Sequence, residues 1–399
     1  VSQAPEKETA AKQRTDPSRY DLANPRNLSG HNGLVSGITF APGGELAATC
    51  GADGTVRLWD PQGKVMDKRG PDVALRDLPR ASALAYSPDS RSVAIGTADS
   101  IRLWDIRGGV EIARLSNRSG DVTRLAFSPD GGHLASAGRD WPILIWTLSG
   151  QRIELALNGH TAGVNALGYS TDGKTVLSAS EDGTLRLWNA ADGQAIASLT
   201  ENTGPVLSAA LSPDGKLAAA GGTDRKVRLW NVERKQVVAT LTGHAGPVVA
   251  LTFSPDGRCL LSAEGRRPEG SEARSNERGT PLRLWQLPEA KEILAFGPAD
   301  TDIRDVAFSP DSKTLATSGP KGVTFWDPRT GEIRESLRPV SPTASAKDEA
   351  VTVRSQDNLS WPIAFAPDGQ SLAAGGGAAL NIWLAAPFST SAVARAPTP

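Results

Sequence analysis

One stretch constrains this chain more than any other: residues 159–193, GHTAGVNALGYSTDGKTVLSASEDGTLRLWNAADG, recur as copies, worn copies and interrupted copies along nearly the whole sequence. Three short alternating runs lie inside it, separated by Thr-Asp-Gly after Tyr169 and by Asp-Gly at Asp182, and the third run ends in Trp188-Asn189. Alternation with a period of two, punctuated by Gly and Asp, specifies strands joined by hairpins. In the other copies the slot of Tyr169 is filled by Phe40, Tyr86, Phe127, Leu211, Phe253, Phe308 and Phe365. Nine residues later come Thr49, Ile95, Ser136, Ser178, Ala220, Ser262, Thr317 and Ala374, without exception. A further 9 or 10 residues reach Trp59, Trp104, Trp146, Trp188, Trp230, Trp326 and Trp383; only the sixth copy is stretched, 23 residues to Trp285.

The chain therefore holds eight copies, with tryptophans mostly 41–45 residues apart, the period of repeats that build the four-stranded blades of a β-propeller. One four-stranded sheet would leave apolar faces bare, and packing the sheets in a ring covers them. A repeat overrides the domain count that 399 residues would suggest, so one ring is expected. The expectation is an all-β chain of eight four-stranded blades over residues 19–385, flanked by a disordered arm at 1–18 and a proline-rich tail at 386–399. The first six copies run with little slack. The seventh loses its second turn Asp and the eighth reads AAGGGAALNIW where a tight turn belongs, so both read as worn.

A net charge of −1 supplies no field for nucleic acid or an anionic membrane surface. No apolar run approaches the roughly 18 residues of a membrane helix. Cys50 and Cys259 fall on second strands of distant copies, where they read as small buried residues rather than a bridge. No targeting segment is legible within the chain and the compartment stays open, although the sequence begins at Val1 and its one methionine is Met66, so an address could precede it. The alanine-rich composition and clean repeats look more bacterial than eukaryotic.

With Trp59-Asp60, Trp104-Asp105 and Trp326-Asp327 literal, and Trp188-Asn189 and Trp230-Asn231 close variants, the span from about residue 20 to 385 resembles the WD-repeat β-propeller family. The resemblance implies that each copy straddles two blades, the outer strand of one followed by three inner strands of the next. Residues 20–28 would then lend an outer strand to the last blade and close the ring, Pro25 being tolerated on an outer edge. It also implies a structural hydrogen-bond series in each regular copy: His31, Thr49, Asp53 and Trp59 in one, His160, Ser178, Asp182 and Trp188 in another, with the same spacings in both. The sixth copy keeps His244, Ser262 and Trp285 but has no Asp at the expected place, and His133 stands apart beside an Asp-Gly turn, where it reads as exposed.

A histidine with a hydroxyl and a carboxylate invites a hydrolase triad, but here the hydroxyl would sit inside a sheet serving buried donors. Four histidines and two cysteines match no metal-ligand spacing, the recurrent Ser-Pro-Asp-Gly reads as a turn, and no phosphate loop is present. No catalytic residue, metal or cofactor is expected. Function is sought instead where the copies stop matching. The second turn of copy six is expanded at 265–281, and extra residues fall around 338–357 before the last copy. In a propeller both connections open on one face. That rim also carries Trp361, Trp141, Arg139, Asn165, Arg304, Asp305, Arg266 and Arg267 where small residues are usual, and exposed Trp and Arg favour binding hot spots. The competing reading is that Trp141 and Trp361 only cap a blade edge and that the insertions are tolerated loops. The leading expectation is a non-catalytic scaffold that binds a protein or peptide on this rim. Alternatives are a regulatory module of a larger signalling enzyme, or a propeller using its channel for a small ligand or hydrolysis. The channel alternative is disfavoured because first strands such as VSGITF, VTRLAF and VNALGY are largely apolar or small.

Overall fold

The computed structural model describes residues 26–61, 73–75, 78, 81–116, 120–139, 142–265, 280–298, 302–337, 362–376 and 379–384. Over these residues the backbone forms strands β1–β32 in chain order, grouped into eight four-stranded antiparallel sheets, with no helix among them. The first blade runs from β2 (Val35–Phe40) at the channel through β3 (Ala47–Gly51) and β4 (Val56–Trp59) to β5 (Val73–Leu75) outside. The remaining inner strands are β6 (Ala83–Tyr86), β10 (Val122–Phe127), β14 (Val164–Tyr169), β18 (Val206–Leu211), β22 (Val248–Phe253), β26 (Asp305–Phe308) and β30 (Ile363–Phe365). Each packs beside the next, and β2 meets β30 to complete the ring.

Closure uses the start of the described chain. The last blade consists of β30, β31 (Ser371–Gly376), β32 (Ala379–Leu384) and β1 (Arg26–Ser29), with Arg26 opposite Ile382 and Ser29 opposite Ala379. The strand reaches Ser29, one residue past the expected 28, and residues 20–25 of the expected span lie outside the described residues.

The core is divided among the seams. Eight apolar clusters each draw residues from two neighbouring blades; one, for example, joins Ala135, Ile143, Ile145 and Leu157 of the third blade to Val164, Val176 and Trp188 of the fourth. Second strands are covered on both faces, and every residue of β3 is buried. Outer strands meet solvent and alternate, as β21 (Gln236–Leu241) does before ending on buried Leu241. A tryptophan such as Trp188, buried in a seam, removes about 150–250 Å² from water, worth roughly 4–6 kcal/mol before entropy.

Two faces differ in regularity. Turns from first to second and third to fourth strands open on one face, here the turn face; the other connections open on the loop face. On the turn face the acids of the Ser-Pro-Asp-Gly turns, and of their variant Ser170-Thr171-Asp172-Gly173, close their own turns. Ser170 Oγ donates to Asp172 Oδ1 at 2.6 Å, Lys174 N donates to the same oxygen at 3.0 Å, and Thr175 N donates to Ser170 Oγ at 3.0 Å. Both cysteines are free; Cys50 is buried, but Cys259 is only half-buried because it opens its strand beside a turn. No helix of the described residues is long and apolar enough to cross a membrane.

Candidate functional site

His160 stands on the loop face with Nδ1 2.9 Å from Asp182 Oδ2 and Nε2 2.7 Å from Ser178 Oγ, and Trp188 Nε1 donates to that same oxygen at 2.8 Å. The blade-one series is built alike: His31 Nδ1 lies 3.1 Å from Asp53 Oδ1, His31 Nε2 2.8 Å from Thr49 Oγ1, and Trp59 Nε1 donates to Thr49 Oγ1 at 2.8 Å. Burial lowers the His160 pKa against the opposing pull of Asp182. Burial also works against the Asp182 carboxylate, but the Thr184 hydroxyl, the Thr161 N–H and His160 outweigh it and hold the group at about 2. Each hydroxyl is occupied by two buried nitrogens, so this geometry braces a blade and offers no free nucleophile.

The sixth blade solves its missing Asp in a way the spacing does not announce. Glu264 Oε2 accepts from Ala245 N at 2.8 Å and stands 3.6 Å from His244 Nδ1, while His244 Nε2 and Trp285 Nε1 share Ser262 Oγ at 2.7 and 2.9 Å. The acid has moved from the turn to the end of the strand, and its longer side chain comes within ion-pair distance of His244 without closing a hydrogen bond to Nδ1. An acid two residues after the hydroxyl slot was the available signal. Where that slot holds Ile95 or Ala374, Trp104 Nε1 and Trp383 Nε1 are buried without an acceptor among the described residues.

The channel mouth is organised by bulges. The inner-strand register slips at Ser36, Thr123, Asn165, Leu207 and Val249, and a bulge re-aims its side chain. Ser36 Oγ donates to Ala81 O of the next blade at 3.1 Å, and Asn165 Nδ2 to Val206 O at 2.9 Å. Asp305 joins the last two inner strands: its Oδ1 accepts from Val306 N at 2.9 Å and its Oδ2 from Ile363 N at 3.1 Å. Asn165 and Asp305, singled out as contact residues, are thus engaged in linking blades.

Gly37, Ala83, Arg124, Ala166, Ser208, Ala250 and Asp305 share one register position, three residues before the aromatic slot. Arg124 and Asp305 carry the only charges there and lie four blades apart, hence across the channel from each other. Arg124 Nε donates to Asn165 O at 2.6 Å and Nη1 to Thr123 O at 2.7 Å. The side chain remains exposed to the channel. Burial pushes the Asp305 carboxyl up to about 6, against the two N–H donors and the Arg124 charge. Loss of bulk water inside the ring lowers the Arg124 pKa in turn, with Asp305 opposing. The expectation that first strands are largely apolar or small therefore fails at Arg124, which its apolar neighbours in VTRLAF obscured.

Of the other rim residues, Arg139 is exposed at the second turn of the third blade, and Arg304 Nη2 donates to Asp302 Oδ2 at 2.8 Å. Trp141, Trp361, Arg266 and Arg267 lie outside the described residues, as do nearly all of the two insertions and the flanking 1–18 and 386–399. His133 is half-exposed, with Nε2 2.9 Å from Glu154 Oε2.

A family model described as WD domain, G-beta repeat, matches residues 24–60, 109–147, 151–189, 193–231, 235–266 and 291–327, more than half of the chain. The chain belongs to the WD-repeat family. Each matched segment straddles two blades: 151–189 takes β13 (Arg152–Leu157), the outer strand of the third blade, with three strands of the fourth. The seventh copy, read as worn, is matched, whereas the second and eighth are not. Among relatives of this WD-repeat protein, the small ribosomal subunit protein RACK1y of Oryza sativa subsp. japonica is 30% identical over 131 residues, 31% of this chain and 37% of its own. The small ribosomal subunit protein RACK1 of Schizosaccharomyces pombe is 30% identical over 129 residues, 30% of this chain and 40% of its own. The nuclear distribution protein PAC1 of Arthroderma otae is 30% identical over 132 residues, 31% of this chain and 29% of its own. The match thus spans less than half the length of each relative. All three are eukaryotic and lend no support to a bacterial reading of the composition.

Proposed function

We propose that this WD-repeat protein is a non-catalytic scaffold that holds a protein or peptide on its loop face, across the rim carrying the 265–281 and 338–357 insertions. The observation that carries the reading is where the repeat breaks. Arg124, Arg139 and Arg304 interrupt a ring of small residues on the loop-face side, while the turn face keeps one serine-to-aspartate hydrogen-bond pattern from the second blade to the seventh. Arginine, with five donors in a planar fork, suits carbonyl and carboxylate groups of a peptide. The relatives are named as components of a ribosomal subunit and of nuclear distribution, and assembly with other macromolecules suits a scaffold. The histidine series, with its hydroxyls fully engaged, gives a hydrolytic reading nothing to work with.

The test is a set of variants with two readouts. Trp141→Ala with Trp361→Ala, Arg139→Ala, and deletion of 266–279 should each leave the melting temperature close to that of the parent while removing a partner recovered with the intact protein. Recovery of the same partners by parent and variants would defeat the rim reading. A second reading, a small ligand in the channel, draws on the opposed Arg124 and Asp305; hydrolase activity abolished by Arg124→Gln would favour it.

A further inference from the structure

On the turn face the clefts between blades can be compared within the same ring. The cleft between the second and third blades measures about 360 Å³ and is lined by Phe127 and Leu148. Its counterpart between the third and fourth blades measures about 810 Å³ and is lined by Tyr169 and Ala190 in the matching places. The correspondence is one of register. Tyr169 fills the slot of Phe127, and Ala190 follows Trp188 by two residues as Leu148 follows Trp146. Trading leucine for alanine opens the wall, and trading phenylalanine for tyrosine adds a hydroxyl.

The larger cleft has a defined chemical character. Asp130 and Asp172 stand on its two sides, each with Oδ1 taken up by its own turn. The Ser128 hydroxyl and Gly132 N–H hold the Asp130 carboxyl below its usual range, and the Ser170 hydroxyl and Lys174 N–H do the same for Asp172. Both are therefore ionised at neutral pH. The Tyr169 hydroxyl oxygen is buried and has no hydrogen-bond partner among the described residues. Burial raises its pKa, and Asp130 and Glu154 raise it further, so negative potential reaches the hydroxyl from the third blade. Lys174 is the positive group of the lining, and His133 Nε2 stands 2.9 Å from Glu154 Oε2. Ile196 and Ala190 supply an apolar wall. The smaller cleft also lies between two turn aspartates, Asp89 and Asp130, so the carboxylates alone do not distinguish the larger one. Space and the hydroxyl do.

We propose that the cleft between the third and fourth blades binds a cationic side chain, arginine or lysine, presented by a protein partner. The aliphatic stem lies along Ala190 and Ile196, and the head, which has donors only, meets the outer carboxylate oxygens of Asp130 and Asp172 and the lone pair of the Tyr169 hydroxyl. Burying the stem while charged groups meet the head is the ordinary behaviour of these amphipathic side chains. The site is on the opposite face from the rim and does not depend on the loop-face reading.

The test titrates the full chain, followed by NMR, with N-acetyl-arginine amide, N-acetyl-lysine amide and, as an uncharged control, N-acetyl-norleucine amide. Ala190→Leu and Tyr169→Phe rebuild the cleft as a copy of its neighbour, which the same ring already accommodates; Asp172→Asn keeps the turn acceptor and removes the charge. At least one cationic amide should bind saturably and at least about tenfold tighter than the norleucine amide, a difference of about 1.4 kcal/mol. Ala190→Leu should abolish that binding, and Tyr169→Phe and Asp172→Asn should weaken it. Equal affinity for the norleucine amide, unchanged binding in Ala190→Leu, or no binding by any amide in the intact chain would each overturn the proposal.

Discussion

Ser178 Oγ serves two buried nitrogens at once, His160 Nε2 and Trp188 Nε1, so a single atom carries much of the regular blade. Ser178→Ala should destabilise the protein by about 1–3 kcal/mol, the cost of leaving the buried Trp188 donor and His160 acceptor unsatisfied, whereas Ser178→Thr should be tolerated because Thr49 does the same work in blade one. Denaturant midpoints of the two variants check this. The series also predicts acid lability. His160 has its folded value below the ordinary 6.5, so the unfolded chain takes up a proton the folded one resists; its contribution is full above that value and is lost as pH falls through it. Asp182, held at about 2 against 3.8, contributes above 3.8 and loses that contribution as pH falls toward 2. The gap in melting temperature between the parent and His160→Gln should therefore narrow as pH drops from about 7.5 to about 5. Asp305 has the opposite sign. Its folded value near 6 exceeds 3.8, so ionisation carries a stability cost that grows as pH rises through that window. Its carboxyl resonance should titrate near 6 in the intact protein and higher in Arg124→Gln, which removes an opposing positive charge. An unshifted midpoint in the variant would show that the two charges do not sense each other across the channel.

At the level of strands, the invariant nine-residue interval between aromatic and hydroxyl slots made three strands of each blade legible, because it fixes which residues face each other: Tyr169 pairs with Val176 and Thr175 with Asn189. Ring closure was legible from Leu28, which precedes Phe40 by the same 12 residues that separate Leu157 from Tyr169. Strand ends were less legible, since a period-two pattern does not mark where pairing stops: the closing strand reaches Ser29, one residue past the expected 28. The bulges left no mark in the pattern of residue types; Asn165 looked like a contact residue because nothing in the sequence says that its side chain turns toward the next blade. Glu264 was hidden for a related reason, as a longer acid on a strand can substitute for a shorter one in a turn only when the backbone brings His244 beside it. The closing strand gives the prediction at this scale. A chain beginning at residue 19 should melt like the full one, and a chain beginning at residue 31, which lacks β1, should lose about 2 kcal/mol, on the order of 3 °C for a ring of this size, because β32 becomes an open edge. Equal melting of the two would remove β1 from the ring's support.

For the whole molecule, eight seams built alike give a rigid ring, and residues that repeat in register are occupied in holding it. Those that break register face outward on two sides, Arg139 with the channel residues on the loop face and the Tyr169 cleft on the turn face. Stability and recognition are thus carried by different side chains even within residues 159–193, where His160, Ser178, Asp182 and Trp188 hold the blade and Tyr169 and Ala190 line the turn-face cleft. The most direct measurement of this division places a photo-crosslinking residue at Arg139 on the loop face and, separately, at Arg329, an exposed turn-face position on the far side of the ring from the Tyr169 cleft. The account predicts partner adducts from the Arg139 position that are absent from the Arg329 position. The same adducts from both, or adducts from Arg329 alone, would contradict it.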